Sequence, residues 1–568
     1  MRLTLLTFTA AALCLAGPAA VADATSATAD AEASAALLQN PRGCGRAGSV
    51  LDAAPEGQMV MVPGFGAETW AVDTVKPEAQ AWFDHGVRLR WAFEHKEAVR
   101  AFRRARAIDP ECAMCAWGEA WAIGPNLNGG GTDDASIRAG RQLAQLARRK
   151  ARGATAVQRQ MIDALIERYS GASASQGVRF ARAMDRIARR NPDDPMIAAT
   201  AADAWMLQAD QWWDDDGKPA DRGIGRAMEI LEASLQGAPD DPGTIHLYIH
   251  LTEWSDDPHK AIPYGEKLAR LAPSASHLVH MPSHTFYRVG RYRDAMRSNV
   301  EAVALDRRYD ELAAPPGGIT GMPLHAHNIH FGMGGALMAG GGEEGLALAD
   351  AFLATYPDMS SGNPWRQLMA NDAYAIYGRF GSPAQVAALA EPPEERPLQR
   401  TSWRYGRGEA AARAGDAAAV RAEAEAIKAI RESDAITGDQ ADKMKLFVEV
   451  SQRVLEGRAA MIEGNAEAAV AAFTRAAEIQ GMEEEGGDPP IIWFPTRRSL
   501  AAAMLARGDA AGAKAKIEEL LVDWPMDPYS YFVLAEAEAA LGHMAAAETA
   551  REKARVEWIG GTMTLKLA

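Results

Sequence analysis

Residues set at fixed intervals constrain this chain more than any other feature. In AWFDHGVRLRWAFEHKEAVRAFRRARAIDP, residues 81–110, Trp82, Gly86, Ala98, Phe102, Ala105 and Pro110 mark one helix–turn–helix unit of a 34-residue period. Small residues let two antiparallel helices approach, large apolar ones fill the space between them, and the proline ends the second helix. The grammar returns in YRVGRYRDAMRSNVEAVALD (287–306), MIEGNAEAAVAAFTRAAEI (461–479), MLARGDAAGAKAKIEELLVDWP (504–525) and ALGHMAAAETAREKARVEW (540–558). Helix pairs are therefore predicted from about residue 79 to the C-terminus, with looser copies near 113–150, 195–238 and 365–432. Each pair cannot bury its apolar face alone, so the pairs must stack.

These spacings are those of the tetratricopeptide repeat, and the expected fold is all-α: a right-handed solenoid of stacked antiparallel helix pairs. Composition agrees, because alanine is abundant, 48% of the residues are hydrophobic and β-branched alternation is nearly absent. The formal charge of −15 is spread along the chain, which suits solubility and sets nucleic acid aside as a partner, since that needs a basic stripe. The start MRLTLLTFTAAALCLAGPAAVADA has Arg2, a short apolar run and an Ala20-Val21-Ala22 cleavage pattern, so residues 1–22 read as a signal peptide. No later apolar run is long enough for membrane insertion, and a periplasmic or secreted location is expected. The expected organisation is 23–76 as a low-complexity and linker segment, 77–241 as N-terminal repeats, 242–360 as histidine-rich repeats and 361–568 as C-terminal repeats.

Three turn-rich insertions interrupt the array. The stretch 208–221, with Trp212, Trp213 and three aspartates in a row, reads as a polar loop with aromatic anchors, a bound cation being the alternative. The second is 311–324, and the third, 482–498, carries Trp493, Phe494, Arg497 and Arg498, which either reach into the groove or cap it. Cys14 leaves with the leader, so Cys44, Cys112 and Cys115 remain. The Cys112-Ala-Met-Cys115 pair allows a short-loop disulfide, a metal-ligand pair or a bond from one member to Cys44; without a following histidine it is no haem-attachment motif.

Histidine is the residue that points to chemistry. Residues 246–290 hold six of the twelve histidines, and 325–331 hold three more. Superposing Ala261 on Ala295, a shift of 34, carries His246 onto His280 and His250 onto His284; a shift of 50 then carries His277 onto His327 and His280 onto His330. The positions follow an i, i+3, i+7 pattern on one face of the first helix of each pair, the face that lines the concave groove of a solenoid. Glu253 falls on the same stripe. Facing helices about 8–10 Å apart let such side chains share an ion with bonds near 2.0–2.1 Å. The expected metal ligands are His246, His250, Glu253, His280, His284, His327 and His330, a set suited to Zn, Cu or Fe and larger than one ion needs. The alternative is a hydrogen-bonded polar core. His259 and His325 fit the pattern less well and are expected in surface or capping roles.

Several segments resemble a family of secreted bacterial tetratricopeptide-repeat proteins without an assigned function. They are FDHGVRLRWAFEHKEAVRAFRRARAIDP, CAMCAWGEAWAIGPNLN, the DGKP insertion, HLYIHLTE, HLVHMPSHTFYRVGRY, HNIHF and WFPTRRSL, within residues 77–560. The resemblance implies the fold and supplies no reaction.

Three functions compete on the sequence alone. One is a repeat protein whose groove binds a peptide or protein segment. Another is a metal-dependent hydrolase or oxidoreductase in which Glu253 serves catalysis and Arg497 or Arg498 orients a small anionic ligand. The third is metal binding for storage or delivery. No HExxH, nucleophile elbow or phosphate loop is present, and no organic cofactor is expected. One ligand type repeated three times in the groove favours the metal.

Overall fold

The computed structural model describes residues 59–171, 175–214, 216–357, 364–482, 490 and 492–568. The expected leader, Cys44 and the low-complexity segment up to residue 58 lie outside the described residues.

Helices pair in order along the chain: α1 (Pro77–Trp91) with α2 (His95–Ile108), α3 (Ala113–Ile123) with α4 (Asp134–Lys150), α5 (Ala156–Arg168) with α6 (Ser175–Arg190), and α7 (Pro195–Met206) with α8 (Arg222–Gly237). Then come α9 (Pro242–Thr252) and α10 (Ile262–Leu271), α11 (Ser276–His280) with α12 (Pro282–Arg288) against α13 (Tyr292–Ala313), the short α14 (Gly318–Gly321), and α15 (His325–Ala339) with α16 (Gly342–Thr355). Further pairs continue from Pro364–Phe380 to Met544–Glu557. Among the described residues the only strand-like pairing is an isolated bridge between Trp213 and Pro219. The chain is the all-α solenoid of stacked helix pairs that the repeats demand.

Local chemistry explains the elements. Asp194, Asp241 and Asp527 each accept a backbone N–H of the first turn while a proline occupies the first helical position, so Asp-Pro starts α7, α9 and the Pro528–Ala540 helix. The repeat's glycine makes room for its aromatic. A Cβ on Gly86 would stand 2.9 Å from the Phe102 ring, and one on Gly457 would stand 2.5 Å from Phe473, the same sixteen-residue offset in two distant repeats. The 208–221 insertion buries Trp213 and ties the Trp212 indole to the Met206 carbonyl, which is the anchored-loop arrangement. Cys112 and Cys115 are joined by a disulfide at the start of α3, so neither is a metal ligand or a partner of Cys44.

Two apolar cores share the chain. One runs from Val62 to Leu324, the other from Phe286 to Ala568, and they overlap across the histidine-bearing helices. The first repeat and the segment just before it also reach α13 directly. Phe65 packs edge-on against Tyr309 at 5.7 Å, and the Tyr309 hydroxyl donates to Glu97, 212 residues away in sequence, at 3.4 Å. No described helix is long and apolar enough to cross a membrane.

Candidate metal centre

Proline shapes the central segment. A single face along 277–284 was the expectation, but Pro282 has no N–H to donate, and the helix breaks at Met281 into α11 and α12. His280 ends one piece and His284 lies in the next, and their Nε2 atoms stand 2.9 Å apart. His327 from α15 brings its own Nε2 to 3.1 Å from that of His280.

The other ring nitrogens fix the tautomers. Asn299 on α13 donates its amide to the Ala295 carbonyl, so its Oδ1 accepts from His280 Nδ1 at 2.6 Å. His284 Nδ1 faces Glu253 Oε1 at 3.0 Å, and Arg288 stands 3.9 Å from the same oxygen. With both Nδ1–H groups committed, neutral His280 and His284 present bare lone pairs to each other. Metal-binding imidazoles are held in this way, one nitrogen oriented by a hydrogen bond and the other turned inward.

A second group lies beside the first. His246, His250 and His277 bring one nitrogen each within 4.8 Å of one another, as do His280, His284 and His327, while His250, Glu253 and His284 form a third such set linking the two. His246 Nδ1 bonds the Trp91 carbonyl, its Nε2 has no partner, and neither nitrogen of His277 has one. Phe93, from the turn between α1 and α2, packs its ring against His246, His250 and His277 at 4.2, 5.3 and 5.5 Å. Its φ of 58° is a left-handed backbone that a bulky residue adopts at a cost. That strain places the Phe93 ring and the Trp91 carbonyl where the imidazoles meet them.

Burial sets the protonation states. It pushes His246 down to about 3 and His280 to about 4, and holds His250, His277, His284 and His327 well below the ordinary histidine value, with neighbouring imidazoles adding to the effect. The six rings are neutral at pH 7, the form that ligates metal.

Several expectations change. The histidines are buried rather than displayed on an open groove; His327, the most exposed of the cluster, keeps 8% of its surface. His277, absent from the expected ligand set, is central. His330 stands apart from the three sets, 3.3 Å from Asp372. His325 is neither a surface nor a capping residue: it is fully buried, with Nδ1 2.8 Å from Asp306, which also accepts from Asn328. His259 is exposed, as expected of a surface residue. Arg497 and Arg498 belong to the C-terminal core and its surface. Arg498 is buried against Asp527 at 2.9 Å and packs on the Trp493 and Phe494 rings, and Arg497 pairs with Asp523 and Glu519. Neither shares a contact with the histidines among the described residues. Asn299, Asp306, Asp372 and Phe93 were missed because no short motif marks a partner that arrives from another repeat.

A cavity of about 250 Å³ is lined by Trp91, whose carbonyl meets His246, by Gly243 and Leu278, and by the carboxylates of Glu68, Asp84 and Asp241. Burial raises the pKa of all three acids from their ordinary values.

No family model matches the chain, and neither does any curated protein. Solved structures similar to it include a human IFIT1 dimer with m7Gppp-AAAA (11% identity, 86% of this chain and 91% of that one, TM-score 0.30). The yeast Tom70 crystal structure is 12% identical over 85% and 90% of the two chains (TM-score 0.27), and the P58(IPK) TPR domain 12% identical over 82% and 98% (TM-score 0.21). Likeness at this level carries no argument about activity.

Proposed function

We propose that this chain is a metal-binding helical-repeat protein, holding a transition metal of the Zn, Cu or Fe class between His280, His284 and His327. A second ion or an alternative position is offered by His246, His250 and His277, with Glu253 bridging through His250 and His284. One observation carries the reading: the Nε2 lone pairs of His280 and His284, two neutral, buried imidazoles whose Nδ1–H groups are committed elsewhere, face each other with no proton between them, and His327 Nε2 stands 3.1 Å from that of His280. Lone pairs repel, and a shared cation removes the repulsion. Nitrogens bound to one tetrahedral ion at 2.0–2.1 Å lie about 3.3 Å apart, close to the 2.9 and 3.1 Å spacings here.

A periplasmic or secreted location belongs to the same reading, and the Cys112–Cys115 disulfide supports it. A peptide held in the groove by these histidines is disfavoured by their burial. Use of the ion in hydrolysis or oxidation, with Glu253 as a proton-transfer group, stays a second reading supported by its position on His284 Nδ1.

The test is elemental analysis by plasma mass spectrometry of protein purified without chelator or added metal. One or two equivalents of a single transition metal, lost in His284→Ala, is the expected result. Protein that remains metal-free after exposure to Zn²⁺, Cu²⁺ and Fe²⁺ would sink the proposal.

A further inference from the structure

Beside the histidines, a second buried cluster has a different chemical character. Arg90 on α1, Arg168 at the end of α5 and Asp203 on α7 are all buried, and only one of the two cations has a counter-charge within bonding distance: Arg90 Nη2 lies 3.3 Å from Asp203 Oδ2. Arg168 spends one nitrogen on the Pro125 carbonyl at 2.6 Å. The loop after α3 folds over the same place. Asn126 Oδ1 accepts from the N–H groups of Asn128 and Gly130, and Gly131 has a φ of 74° with the Gly124 carbonyl where a Cβ would sit, so no larger residue fits.

This fold leaves donors without acceptors. Arg90 Nε and Nη1, Arg168 Nη1, Asn126 Nδ2, Asn128 Nδ2 and Trp121 Nε1 are buried and unpartnered, and they outnumber the unpartnered acceptors around them, Asp203 Oδ1, Asn128 Oδ1, His246 Nε2 and one ring nitrogen of His95. The Arg90 guanidinium lies 5.0 Å from the centre of the Trp121 ring, and both guanidiniums act on Asp203. A surplus of donors together with a net positive charge calls for an acceptor that is itself an anion, since water brings as many donors as acceptors.

We infer that Arg90, Arg168, Asn126, Asn128 and Trp121 form a binding site for a small oxyanion, a carboxylate or a phosphate-type group. Arg90 and Arg168 take the role that sequence reasoning gave to Arg497 and Arg498. Arg90 immediately precedes Trp91, whose carbonyl orients His246, so the anion sits next to the proposed metal centre. The site does not depend on the metal.

The experiment uses the full chain in the presence of chelator, so that an anion bound to metal is not mistaken for this one. Thermal midpoints are compared in phosphate, acetate and chloride at equal ionic strength, for the wild type and for Arg168→Met, and wild-type crystals are soaked in selenate and in cacodylate, a carboxylate-like monoanion whose arsenic scatters anomalously. A midpoint raised by a few degrees in phosphate or in acetate, absent in chloride and lost in Arg168→Met, is expected. Which of the two anions acts assigns the class. An anomalous peak within hydrogen-bonding reach of Arg90 and Arg168 tests the site without any substitution. Midpoints in phosphate and acetate equal to those in chloride, with no peak from either soak, overturn the inference.

Discussion

His277 shows what a single residue reveals about the site. Its ring is buried, contacts Phe93, His246 and His280, and leaves both nitrogens unpaired. A buried polar group without a partner costs about 1–3 kcal/mol. In metal-free protein, His277→Leu should therefore raise stability by about 1 kcal/mol, measured by denaturant unfolding, while metal content falls. A histidine kept for packing would give the opposite sign. His284→Ala should behave differently, because it removes the imidazole partner of the buried Glu253 carboxylate and leaves a cavity as well as removing a ligand, and a loss of about 2–3 kcal/mol is expected. Seven of the nine clustered histidines were legible because they recur at repeat-equivalent positions, His259 and His325 being the exceptions. Their partners were not, since Asn299 and Asp306 are unremarkable letters in α13, and Phe93 acts through a backbone conformation that sequence does not display.

Among the elements, the α11–α12 break matters most. The register of 34 superposes His246 on His280 and His250 on His284 in sequence, but the two segments do not present them alike. In α9, His246 and His250 lie on continuous helix with ring centres 4.9 Å apart and planes at 40°, whereas His280 and His284, on either side of the Pro282 break, keep nearly the same spacing of 4.8 Å but stand at 87°, with their Nε2 atoms 2.9 Å apart. Pro282 stands at the first position of α12, where its missing N–H is tolerated, and the break it enforces falls where the ligands converge. Pro282→Ala should let the two pieces join, maintain or raise the thermal midpoint, and weaken metal binding at least about tenfold in a competition titration with a chromophoric chelator. Unchanged affinity would show that the break has no part in shaping the site. The proline was plain in HLVHMPSH; its effect was not, because periodicity assumes an unbroken helix.

At the scale of the whole molecule, burial of so many neutral imidazoles links stability to pH. Unfolded histidine titrates near 6.5, while folded His246, His280 and His85 are pushed down to about 3, 4 and 4. Below pH 6.5 the unfolded chain binds protons that the folded one does not, so stability is full above that value and falls as the pH drops toward 4. His280 alone accounts for a loss on the order of 3 kcal/mol by pH 4. Glu94 acts in the other direction. Burial and the nearby Asp306 carboxylate raise it to about 8, so it costs stability as pH climbs from the unfolded carboxylate value toward 8. Denaturant unfolding at pH 4, 5, 6.5 and 8 should show a maximum near 6.5–7 with the steeper flank on the acid side; a flat profile between 5 and 6.5 would mean that the histidines are solvated.

The contact of Tyr309 with Phe65 and Glu97 has a mechanical consequence. A solenoid pulled from its ends ordinarily lengthens like a spring and then peels one repeat at a time. Here a clasp between the first repeat and α13 shunts the load past the helices between them, so those repeats carry little tension until it fails. Stretched between residue 65 and residue 313, the segment should resist and then yield in one large rupture, and Tyr309→Ala should restore the stepwise sawtooth of an open array.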